Sequence, residues 1–197
     1  GTGKTTIVRA IITAALQYQL KVRLMAPTGR AAKRLSLSSG VEADTIHKAL
    51  EAEMQDGGST FFNKNESDQL NEDLIIVDEA SMMDISLFYH LLSALKPSAR
   101  LILVGDVDQL PPVGPGSPLR DLMNWGEVPV VRLLHIFRQE EGSGIIENAA
   151  RIREGIPCVS DGAGDFSIYY AESESDAFQR VMDLCEAFDY GSEKAKM

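Results

Sequence analysis

The sequence predicts an α/β fold: a mostly parallel sheet with helices on both faces. Two observations carry this. Four short runs are mostly apolar, and the middle two, Leu74–Val77 and Leu101–Val104, lack any polar alternation, as strands buried on both sides do. Stretches of helical periodicity lie between and around them, and strands alternating with helices imply right-handed crossovers.

The first helix is expected after Lys4, where Ile7, Val8, Ile11, Ile12, Ala15 and Leu16 repeat at helical spacing. Val22–Ala26 reads as the first buried strand. Residues 51–73 interrupt the alternation. Gly57-Gly58 there could close a hairpin with Thr60-Phe61-Phe62 as its second arm, and a polar surface loop is the alternative. Leu74–Val77 is the next strand, Ile85–Leu95 the next helix, and Leu101–Val104 and Val130–Leu134 are further strands. Ile145–Ile152 has helical periodicity. After Gly155-Ile156-Pro157 the composition turns acidic and glycine-rich, with one strand (Phe166–Tyr170) and one helix (about Ser173–Phe188) expected to follow. This places a domain boundary near 157, with a first lobe over 1–157 and a linker opening a second lobe over 158–197.

With 197 residues, 44% of them hydrophobic, the chain can bury one full core. No apolar run approaches the roughly 18 residues of a membrane span, so no membrane partner is expected. Cys158 and Cys185 have neither metal-ligand nor disulfide-framework spacing and read as free thiols of a reducing cytoplasm. The net charge of −10 is unevenly spread. Residues 1–50 hold eight Lys/Arg against two acids, whereas residues 161–197 hold nine acids against three bases. Such asymmetry fits a local basic face.

Gly1-Thr2-Gly3-Lys4-Thr5-Thr6 matches the second half of G-x-x-x-x-G-K-[ST], whose first glycine would fall three positions before Gly1. Glycines let backbone N–H groups approach phosphate, the lysine reaches the β/γ-phosphates, and the hydroxyl of Thr5 holds Mg²⁺ at a helix N-terminus. A helix-capping turn is the alternative reading of this half-motif. Leu74–Val77 runs into Asp78-Glu79. Asp78 stands where a carboxylate would hold the Mg²⁺ shell, and Glu79 where one could polarise the attacking water. The competing reading is an acidic cap on a following helix. Ligands of open α/β sheets bind beyond the carboxyl ends of strands. Thr28, Asp78, Gln109 and Arg138 follow four strand ends and so belong to one sheet edge, which points to a nucleoside triphosphate; for Arg138 alone, a surface arginine is the alternative. The three histidines, His47, His90 and His135, lack metal or nucleophile spacing.

Six motifs in order are specific enough to resemble a family. They are Gly1–Thr6, Ala26–Leu35, Thr45–Lys48, Ile76–Asp84, Gly105–Gly116 and Ile136–Gln139. Over nearly its whole length the chain resembles the first motor domain of RecD-like superfamily 1 DNA helicases. The resemblance implies a RecA-like P-loop NTPase fold and ATP hydrolysis coupled to 5′→3′ movement on single-stranded DNA. It implies that Lys4 and Thr5 hold phosphates and metal, Asp78 the metal and Glu79 the water. Gln109 would sense the γ-phosphate and Arg138 would reach it. Pro27, Thr28, Gly29 and Arg30, with Thr45 and His47, would touch the DNA backbone. Arg30, Lys33 and Arg34 lie at i, i+3 and i+4, hence on one helix face; a solvated basic face is the bland alternative. Leu134-His135 stand where the family usually carries Thr-Glu. The resemblance further implies a second motor lobe in the same full-length chain, recombination or repair subunits as partners, and a strand-separating hairpin within 51–70. Two other readings share these motifs: the helicase domain of a conjugative relaxase, and a P-loop switch that binds ATP without tracking DNA.

Overall fold

The computed structural model describes residues 3–55, 60–133, 143–160 and 165–194. Gly1, Thr2, the Gly57-Gly58 turn, and the stretch with His135 and Arg138 lie outside the described residues. The chain divides into two compact units, 1–138 and 139–197.

In the first unit the described strands are β1 (Val22–Ala26), β2 (Ala43–Thr45), β3 (Ala52–Met54), β4 (Thr60–Phe62), β5 (Leu74–Val77) and β6 (Arg100–Leu103). The helices are α1 (Lys4–Gln17), α2 (Gly29–Ser39), α3 (Ile46–Ala49), α4 (Ile85–Ser93) and α5 (Pro118–Trp125), with a 3-10 turn at Ala80–Met82. A four-stranded parallel sheet has the order β2-β1-β5-β6. All four carboxyl ends therefore lie along one edge, which is what gathers the site.

The pleat sorts the apolar runs onto two faces. Leu74 and Ile76 of β5, with Leu24 of β1, pack with Val8, Ile12 and Ala15 of α1 and Leu35 of α2. Ile75, Val77 and Met25 face the other way, onto Ile46 and Ala49 of α3 and Leu87, Phe88 and Leu91 of α4. Every residue of β5 is buried, each large aliphatic one contributing about 1.5–3 kcal/mol. The continuous Leu-Ile-Ile-Val run is thus the signature of a strand covered by helices on both sides. The α/β class with helices on both faces is borne out.

β3 and β4 form a separate antiparallel hairpin, with Ala52 opposite Phe62, Glu53 opposite Phe61 and Met54 opposite Thr60. Phe62 is its anchor into the core; Phe61 and Met54 are exposed.

Two expected strands do not appear among the described residues. Residues 130–133 form no strand, and Val130 and Val131 are exposed. A parallel strand exists only by pairing, and nothing pairs with the outer edge of β6 among the described residues. Residues 166–170 likewise form no strand. The second unit contains α6 (Gly144–Arg153) and α7 (Glu174–Lys194). The second compact unit begins before α6. The buried Asn148 side chain donates to the Val159 carbonyl at 2.8 Å and accepts from the Val159 N–H at 2.7 Å. Arg151 donates to the Pro157 carbonyl at 2.8 Å. These bonds tie the 157–159 segment back onto α6, so the composition change there marks a turn within one unit. No helix among the described residues is long and apolar enough to cross a membrane.

Candidate nucleotide-binding site

The site begins with how α1 starts. Gly3, at φ 85°, ψ 13°, is its N-cap, a left-handed conformation that glycine adopts without a Cβ penalty. No side chain caps α1 and no acid occupies its first turn. By contrast, side-chain oxygens of Thr28, Thr45 and Asp84 cap α2, α3 and α4. The first N–H groups of α1 carry the positive end of the helix dipole and are left for an anion. Lys4 leaves the same point, its Nζ 3.8 Å from Asp106 Oδ2. Thr5 and Thr6 follow in the first turn, both exposed.

β5 delivers the carboxylates. The Asp78 N–H donates to the Met25 carbonyl at 2.9 Å and the Ala80 N–H to the Val104 carbonyl at 2.8 Å, stitching the turn after β5 to both neighbouring strands. Burial pushes the Asp78 carboxyl above its usual range; the Glu79 N–H bonded to it works in the opposite direction, as do Arg34 and Lys4 nearby. Glu79 sits at φ 53°, ψ 35°, a left-handed backbone that costs a non-glycine residue about 1–3 kcal/mol. Its Oε1 accepts from Arg34 Nη2. Glu79 is the N-cap residue of the 3-10 turn, but its side chain makes no capping bond there, and the Asp78 carboxylate accepts from the Glu79 N–H at 2.9 Å.

After β6 the chain passes close to this turn. A Cβ on Gly105 would lie 2.7 Å from Leu119 Cδ2 and 3.0 Å from the Ser81 nitrogen, so a side chain there would press against the turn. Asp106 then stands between Lys4 and Gln109, whose Nε2 is 3.5 Å from Asp106 Oδ2. Asp106 lies inside the Gly105–Gly116 motif, where nothing local in the sequence distinguishes it from Asp108. The sequence marks Arg34 only as part of a basic face.

Thr45 ends β2 and Thr28 follows the end of β1, and the two strands pair in parallel with Ala26 opposite Thr45. Each hydroxyl accepts a capping bond, from the Ala31 N–H at 3.3 Å and the Lys48 N–H at 3.1 Å. A hydroxyl has one donor besides its acceptor sites, so both O–H groups remain available to phosphate. Pro27 is half-buried, and Gly29 and Arg30 are exposed at the start of α2. The exposed His47 ring packs against Phe62 at 5.7 Å between centroids.

Mg²⁺ takes oxygen donors, usually one or two carboxylates with phosphate oxygens and water. The Thr5 hydroxyl and the Asp78 carboxylate are donors of that kind, and a desolvated carboxylate gains from a cation beside it. Because the folded-state pKa of Asp78 is raised, its ionisation costs stability. That cost is absent below the unfolded-state pKa and complete above the folded one. Asp78→Asn, which can keep the bond from the Glu79 N–H, is therefore expected to raise slightly the melting temperature of the nucleotide-free protein at neutral pH. It should also abolish the added stabilisation by Mg²⁺ and nucleotide. Calorimetry with and without the ligands checks both; a lower nucleotide-free melting point for the variant would contradict the burial argument.

The sheet, its buried strands and the lysine at the start of α1 define a RecA-like P-loop α/β domain. An AAA domain family model matches residues 1–162. The chain is 39% identical over 184 residues to the ATP-dependent RecD2 DNA helicase of Deinococcus radiodurans, covering 93% of this chain and 24% of that protein. It is 35% identical over 175 residues to the RecBCD enzyme subunit RecD of Mycolicibacterium smegmatis, covering 77% of this chain and 31% of the relative. A solved structure of two coordinating Pif1 helicases at forked dsDNA superposes with a TM-score of 0.52 at 22% identity, over 82% of this chain and 43% of that one, and supports the fold. The chain belongs to the AAA domain family and is similar over most of its length to the RecD-like helicases named above. It spans about a quarter to a third of the length of these two curated relatives.

Proposed function

We propose that this chain is the nucleotide-binding lobe of an ATP-driven DNA helicase, coupling hydrolysis to 5′→3′ movement along single-stranded DNA. The observation that carries the reading is the convergence of Lys4, Asp78 and Asp106 at the carboxyl edge of the sheet, beside an α1 N-terminus that no side chain caps. In this reading Gly1, Thr2, Gly3, Lys4, Thr5 and Thr6 cradle the phosphates. Thr5 and Asp78 would hold Mg²⁺, which when bound neutralises charge on the β- and γ-phosphates. Glu79 accepts the proton of the attacking water, Gln109 reads the γ-phosphate from its place beside Asp106, and Arg138 approaches the same phosphate. Pro27, Thr28, Gly29, Arg30, Thr45 and His47 face the DNA backbone. The second motor lobe, repair or recombination subunits and a cytoplasmic location belong to the same proposal. The experiment is ATPase activity of the complete protein with and without single-stranded DNA, paired with unwinding of 5′-tailed and 3′-tailed duplexes. Turnover indifferent to DNA would leave a nucleotide switch and overturn the motor reading.

The exposed residues Arg30, Lys33 and Arg34 lie opposite the buried Ala32 and Leu35 of α2. Neutralising all three is expected to weaken single-strand binding about equally for every base sequence, since phosphate contacts carry no base information. The log–log salt slope should become shallower by about 0.7 per lost contact. A salt titration of binding checks this; an unchanged slope would make the face a solvated surface.

A further inference from the structure

Glu79 is held in an arrangement that does not suit a base. Its Oε1 is paired with Arg34 Nη2, and its Oε2 is buried without a hydrogen-bond partner among the described residues. The side chain is only 14% exposed, whereas that of Arg34 is 64% exposed. One oxygen is therefore paired with Arg34 and the other is buried, which restricts the approach of a water to the carboxylate. An orphaned buried acceptor is also costly. The holder comes from α2, 45 residues away in sequence, and Arg34 shares an exposed face with Arg30 and Lys33. Of its five N–H donors, this contact uses one on Nη2.

We propose that Arg34 is a positioning residue that links strand binding to hydrolysis by clasping Glu79 when the α2 face is empty. A backbone phosphate of single-stranded DNA, drawn in by Arg30 and Lys33, competes for the Arg34 guanidinium. Phosphate and guanidinium match in charge and fork geometry. Once Arg34 turns outward, the Glu79 carboxylate is free to swing toward the Lys4–Asp78 side, where its orphaned oxygen finds a water to accept from. The DNA thus supplies the release, and turnover without DNA is held down by the clasp. This inference rests on the proposed motor function and adds to it the residue through which DNA acts.

The test is steady-state ATPase of the complete protein and its Arg34→Ala variant, with and without a saturating thymidine oligonucleotide. Pairs with one exposed partner shift a two-state equilibrium by about two- to fivefold. The basal turnover number of the variant is expected to rise by that factor with KM for ATP unchanged, and the stimulation ratio to fall by the same factor. Arg34→Lys, which keeps the charge without the fork, should lie between parent and Ala. If the Ala variant does not fold, Arg34→Gln, which keeps most of the length and some polarity, carries the same expectation. A basal rate that stays at or below the parent's, with weaker DNA binding alone, would overturn the clasp and leave Arg34 a simple phosphate contact. Absence of DNA stimulation in the parent would instead overturn the motor reading, and the clasp with it.

Discussion

Glu79→Gln in the complete protein is expected to bind ATP–Mg²⁺ with near-parental affinity and to lose turnover by about 10²–10⁴-fold, the usual contribution of a general base. Glutamine matches glutamate in size, so the left-handed turn at φ 53° and the 3-10 helix after it need not rearrange. Its amide oxygen can still accept from Arg34. Lys4, Thr5 and Asp78 are untouched, and they are the groups assigned to phosphate and metal. Only the proton acceptor is removed. Equilibrium nucleotide titration together with single-turnover hydrolysis separates the two effects. Turnover retained at the parental rate would remove Glu79 from the role of base, whereas loss of binding would mean that it holds the metal.

What could be read from the sequence follows from how local each feature is. β1 and β5 were legible to the residue because a strand covered on both faces must be apolar throughout, and Val22–Ala26 and Leu74–Val77 are nearly so. The 130–133 and 166–170 stretches have similar composition but form no strand. Pairing, not composition, decides whether an extended segment becomes one. The Asn148–Val159 bonds join segments of different composition, which no local pattern shows. In the site, Lys4 and Asp78 stood in motifs whose spacing carries their chemistry. The Arg34–Glu79 contact could not be read, because it depends on how α2 packs across the turn that follows β5. Charge pattern marked Arg34 as basic and exposed without indicating that one of its N–H groups would reach inward.

Lys4→Ala is expected to fail at the step before Glu79→Gln, losing nucleotide affinity while the fold stays intact. The Lys4–Asp106 pair is 3.8 Å long with side chains 30% and 39% exposed, and such pairs add little to stability in water. The melting temperature without nucleotide should therefore barely move. A phosphate at the α1 N-terminus changes the balance. The lysine can leave Asp106 at small cost, and its ammonium then faces a more highly charged partner beside unpaired backbone N–H groups. Hydrogen bonds to charged groups contribute about 1.5–3 kcal/mol, which corresponds to roughly 10- to 150-fold in dissociation constant. Arginine should not restore it, because its planar fork cannot occupy the place of a compact ammonium. Nucleotide titration and thermal melting of Lys4→Ala and Lys4→Arg are the measurements. Parental affinity in Lys4→Ala would mean that the lysine serves only as a partner for Asp106, and that the α1 N-terminus is not where the phosphates bind.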